Sequence, residues 1–122
     1  MDGLITVHPG KNVFWAREGG PLTLAIPGAE SAYAYGDRLF VLAACPPTYD
    51  VVHLMLKIFG PDGALVAELP PPAGYIFGYL SSNLETGVSI VCGAMKLTEP
   101  WADWHFAYDP LVSALVRLGP AY

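Results

Sequence analysis

The chain has 122 residues, 53% of them hydrophobic and 14% charged, which is enough apolar material for one folded domain and excludes intrinsic disorder. Thirteen glycines and twelve prolines exclude a mainly helical protein and suit a chain that turns often. Eleven acids against six scattered bases give a net charge of −5, which argues against a nucleic-acid backbone as the main partner and favours a basic one.

In chain order, Leu4 to Val7 is a short β-rich start stopped by Pro9-Gly10. Asn12 to Arg17, the turn Glu18 to Pro21 and Leu22 to Ile26 read as an N-terminal hairpin. Ser31 to Tyr35 alternates small and aromatic residues with period two, as a strand does. Gly36-Asp37 turns the chain into Arg38 to Ala44, nearly all apolar and so a central strand. After the loop Cys45 to Asp50, Leu54 to Leu69 reads as one hairpin: Pro61 presets φ in its turn and Gly63 takes the positive φ at the exit. Pro70-Pro71-Pro72 is a stiff extended connector. Tyr75 to Leu80 is a second aromatic strand, with Tyr75, Phe77 and Tyr79 on one face and Ile76 and Leu80 expected in the core on the other. Ser81 to Gly87 is a polar turn, Val88 to Met95 a second central strand, and Trp101 to Tyr122 a closing hairpin.

The second half echoes the first. Arg38 to Cys45, a loop, Val52 to Phe59, a Pro-containing turn and Ala64 to Pro70 match Val88 to Cys92, a loop, Trp104 to Tyr108, a Pro-containing turn and Ala114 to Pro120. Each copy follows an aromatic strand, so the repeat units run over about 31–72 and 75–122 of a single all-β domain, residues 1–122. Four strands over about 45 residues is the period of a propeller blade. These units resemble β-propeller blades, above all in the outward hairpin with its Pro-Asp-Gly turn. The fold expected is an antiparallel meander of hairpins: two propeller-blade-like four-stranded units plus an N-terminal hairpin. A closed propeller needs at least about four blades, so the resemblance implies an open sheet stack, a sandwich or barrel, or part of a self-associating ring.

Patterns that carry chemistry are absent. Gly87-Val88-Ser89-Ile90-Val91 lacks the second glycine of a nucleophile elbow. No glycine-rich phosphate loop occurs. His8, His53 and His105 lack metal spacing, and Cys45 and Cys92 read as buried reduced thiols, so no cofactor is expected. The acid–base candidates are Asp50 with His53 and Asp103 with His105. Alternation puts His53, Met55 and Lys57 on one side of their strand, and Trp101, Asp103, His105 and Asp109 on one side of an equivalent strand. Asp50, His53, Lys57, Trp101, Asp103, His105 and Asp109 are therefore the candidate partner-binding residues, with Trp101, Trp104 and nearby tyrosines as apolar area and the acids facing basic groups.

The reading is a noncatalytic protein-binding module, cytoplasmic because no signal peptide or membrane-length apolar run is seen. In size, charge and lack of chemistry it is similar to bacterial toxin immunity proteins, which implies occlusion of a toxin's active site, the toxin domain being basic. The alternatives are a self-associating structural β module, or a small-molecule-binding β protein using Asp103 and His105.

Overall fold

The computed structural model describes residues 4–8, 11–17, 19–44, 54–83, 87–96 and 102–121. The protein is all-β. Its described residues form three antiparallel sheets of three, four and four strands. They fall in two compact units, Met1–Leu69 and Pro70–Tyr122.

The first unit opens with β1 (Leu4–His8), β2 (Asn12–Arg17) and β3 (Gly20–Ala25), paired in that order. The expected N-terminal hairpin is thus a three-stranded sheet: the β-rich start pairs along all of its length with β2, from Leu4 opposite Ala16 to His8 opposite Asn12. The physical reason lies in the alternation. Val13 and Trp15 of β2 are buried, and Ile5, Val7, Leu22 and Leu24 extend their apolar face on either side. That face closes over Leu39, Val41, Ala43 and Phe59 of the next sheet to make one core.

The next sheet is β4 (Ala29–Tyr35), β5 (Arg38–Ala44), β6 (Leu54–Phe59) and β7 (Leu65–Leu69), in sequence order. Gly36, at φ 61°, makes the two-residue turn between β4 and β5. Strand β5 is buried from Leu39 to Ala43 on both faces, as its continuous apolar run requires. The β6–β7 turn forms as its residues dictate. Gly63 N–H donates to Gly60 O at 3.0 Å, Ala64 N–H donates to Asp62 Oδ1 at 3.0 Å, and Gly63 sits at φ 84°.

The second unit repeats the plan with β8 (Tyr75–Asn83), β9 (Gly87–Ala94), β10 (Asp103–Asp109) and β11 (Ala114–Pro120), in the order β11-β10-β9-β8. Its last turn again has proline second, Pro110, and ends on a positive-φ residue, here Ser113 at φ 50°. The likeness extends to irregularities. Both four-stranded sheets carry a register shift in the first strand pair and another in the last.

One of these shifts overturns the reading of the aromatic strand. Between Phe77 and Tyr79 the pairing skips Gly78, so Phe77 lies opposite Cys92 and Tyr79 opposite Val91. The extra residue reverses the alternation. Phe77 is buried, whereas Ile76 and Tyr79 share the other face and are 58% and 52% exposed. Ile76 is therefore not core, Leu80 is only half-buried, and β8 takes in Ser81 to Asn83 of the expected polar turn, whose residues 84–86 lie outside the described residues.

Candidate functional site

Residues directly opposite in an antiparallel pair point to the same side, so the registers sort the second sheet into two faces. One face carries Ile76 and Tyr79 from β8, Ser89 and Val91 from β9, Asp103, His105 and Asp109 from β10, and Val116 from β11. The other carries Tyr75 and Phe77, Ile90 and Cys92, Trp104 and Phe106, and Arg117.

The first face is polar along its centre and apolar along its borders. Ser89, with no exposed surface, has its Oγ 2.8 Å from His105 Nδ1. With neutral His105 protonated at Nε2, the hydroxyl donates to Nδ1, which satisfies a buried group that would otherwise cost about 1–3 kcal/mol. Asp103 is exposed, and its Oδ1 lies over Gly93, where a Cβ would meet it at 3.3 Å. Its bare backbone neighbour gives the carboxylate room. Ile76 and Tyr79 on the β8 edge and Val116 and Leu118 on the β11 edge are exposed apolar groups flanking that strip. No Lys or Arg stands at a strand position of this face.

The opposite face is spent on its own packing. The Arg117 guanidinium lies 4.1 Å from the Trp104 ring centroid and donates to Tyr75 Oη at 3.3 Å. Tyr75 meets Phe106 edge-on with centroids 5.0 Å apart. Beneath them Cys92 is a buried free thiol, pushed by burial from 9.0 up to about 12. A thiol so protonated is a poor nucleophile.

Of the seven residues singled out from the sequence, Asp50, His53 and Trp101 lie outside the described residues, as does Cys45. Asp103, His105 and Asp109 are brought together on one face of β10. Within that group, Asp109 has a structural task, its Oδ1 accepting the Leu111 N–H at 2.9 Å in the β10–β11 turn. Lys57 belongs to the first unit, on β6, where it stands opposite Glu68 of β7 with Nζ 3.6 Å from its carboxylate. Trp104, expected as binding area, faces away from Asp103 under Arg117. Sequence reasoning missed Ser89, although its period-two spacing from Val91 was readable. It also missed Ile76, which was expected in the core. The bulge sets Ile76 and Tyr79 on the face that carries His105, with Val91 between Tyr79 and His105. Among the described residues no three His, Cys, Asp or Glu side chains gather to hold a metal ion.

These features define an all-β protein of serial antiparallel meanders. No protein-family model matches the chain, and no curated protein or solved structure matches it either.

Proposed function

We propose that the protein is a noncatalytic protein-binding module whose docking surface is the Asp103–His105 face of the second sheet. The observation that carries this reading is the composition of that face: an exposed carboxylate with no cation among the strand positions around it, bordered by Ile76, Tyr79, Val116 and Leu118. Exposed apolar groups collected at a polar centre are the arrangement of an interface, with apolar anchors supplying area and charge setting orientation. The partner is a protein with a basic segment, and occlusion of a basic toxin domain by an immunity protein is the form of this function that suits the net charge of −5. Ser89 has no exposed surface, so a nucleophilic Ser–His reading would lack access to substrate.

A second reading rests on the matching turns and register shifts of the two four-stranded sheets. They resemble successive propeller blades, and a chain with so few would complete its ring with other copies of itself.

The test captures partners on tagged wild-type protein, a Tyr79→Ser/Asp103→Asn variant and a Leu65→Ser control from the first unit. A stoichiometric partner, weakened by salt, lost with the face variant and kept by the control, supports the interface. Retention by all three forms places binding elsewhere. A discrete homo-oligomer as the only species, by light scattering, would move the weight to the ring.

A further inference from the structure

We infer a small-molecule site on the solvent side of the N-terminal sheet, shaped for a sugar ring that bears a carboxylate. An open cavity of about 460 Å³ is lined there by Thr6, His8, Lys11, Asn12, Phe14 and Thr23, within the range of about 300–1,000 Å³ typical of small-ligand sites. The registers lay these residues out as a grid. Thr6, Phe14 and Thr23 form one row across β1, β2 and β3, and His8 with Asn12 forms the next.

Each position has a chemical use. Phe14 is half-buried on the central strand between two hydroxyls, on the side away from the core residues Val13 and Trp15. An aromatic ring there offers a flat platform for the C–H face of a sugar. The hydroxyls of Thr6 and Thr23, the Asn12 amide and the His8 imidazole supply both donors and acceptors, as a polyhydroxylated ring needs. Lys11 adds one of only six bases in a chain with eleven acids, and among the described residues no carboxylate lines the cavity. Its main chain is held at both ends: its N–H donates to His8 O at 3.0 Å and its carbonyl accepts from Ile26 N–H at 3.1 Å. The ammonium is therefore delivered from a fixed backbone point, where it selects an anionic ring over a neutral one. A purely aromatic carboxylate would leave both threonines and Asn12 without partners.

The experiment is an amide-shift titration of the full chain by NMR with D-glucuronate, D-glucose and benzoate. Saturable shifts with glucuronate at residues 6, 11, 12, 14 and 23, with glucose and benzoate weaker by about fivefold or more, are expected. Lys11→Gln should reduce glucuronate binding about fivefold, to the glucose level, and Phe14→Ala about tenfold. Lys11 is exposed, so its variant reads the site even if Phe14→Ala unfolds the sheet. No saturable shift with glucuronate would overturn the site. Equal affinity for glucose, or no effect of Lys11→Gln, would overturn the anionic choice, and tighter binding of benzoate would overturn the sugar.

Discussion

Gly28 joins the N-terminal sheet to the next, and its replacement by alanine is the most demanding test of how the first unit is built. It is buried at φ 79°, and its carbonyl accepts the Ala44 N–H at 2.8 Å. A Cβ there would press on the Ala44 carbonyl oxygen, closer than the 3.0 Å floor of real Cβ contacts, so the β5 backbone must move. Gly36 is the internal control, because at φ 61° it meets nothing within 4 Å. Left-handed backbone costs an L-residue about 1–2 kcal/mol, and the lower entropy of the unfolded alanine chain returns about 0.4–1 kcal/mol. Gly36→Ala should therefore cost about 1 kcal/mol. Gly28→Ala adds overpacking of about 1–3 kcal/mol and a weakened hydrogen bond of about 0.5–1.5 kcal/mol, for a total of about 2.5–5.5 kcal/mol. Urea unfolding followed by far-ultraviolet circular dichroism gives both numbers. If the two variants lose the same stability, the close approach of Gly28 to β5 does not constrain the fold and the reasoning fails.

Ser113→Gly relieves the positive φ that glycine already takes at the matching turn, and should raise stability by about 0.5–1 kcal/mol in the same unfolding measurement. Lys57 and Glu68 form a partly exposed cross-strand pair, so a double-mutant cycle with Lys57→Met and Glu68→Gln should return a coupling of about 0.5 kcal/mol that fades in high salt. Cys92 should resist alkylation by iodoacetamide in the native protein and react once it unfolds. Because its folded value is raised, its contribution to stability is complete below pH 9.0 and declines as the pH rises toward about 12, which unfolding at pH 8, 10 and 11 would show.

The turns and the central strands were legible because single residues dictate them. Gly36, Pro61 with Gly63, and the apolar run Leu39 to Ala43 announce a bend or a buried strand without help from the rest of the chain. The repeat was legible for the same reason. The bulge at Gly78 was not, since nothing local says whether a glycine between aromatics continues the pleat or interrupts it. That one residue decides which of Ile76 and Phe77 is core, and so which apolar groups border the face of Asp103 and His105. Likewise an aspartate before a proline reads equally as a binding acid or a turn cap, and the Leu111 N–H settles Asp109 as the cap. The strand β1 was under-read because its meaning lies in the partner strand it completes.

Comparing the two repeats isolates what the Ser89–His105 pair is for. Aligning them on Pro61 and Pro110 puts Leu56 in register with His105, and their partners Leu42 and Val91 in register with each other. Two residues back along the central strands, Phe40 then corresponds to Ser89. The first repeat thus fills these places with Phe40 and Leu56, both buried and apolar, where the second has a hydroxyl hydrogen-bonded to an imidazole. The plan itself does not need the polar pair. Replacing His105 leaves the Ser89 hydroxyl buried without a hydrogen bond, so His105→Leu alone should cost about 1–3 kcal/mol, and Ser89→Ala, which strips the half-buried His105 Nδ1 of its partner, about 1 kcal/mol. Replacing both removes the unmet group, and the double variant should return to within about 1 kcal/mol of wild type. If the pair serves the docking face, that double variant will fold yet lose the partner that Tyr79→Ser/Asp103→Asn also loses. A double variant as unstable as the sum of its singles would show instead that the pair is structural, and that the second repeat departs from the first for packing rather than for binding.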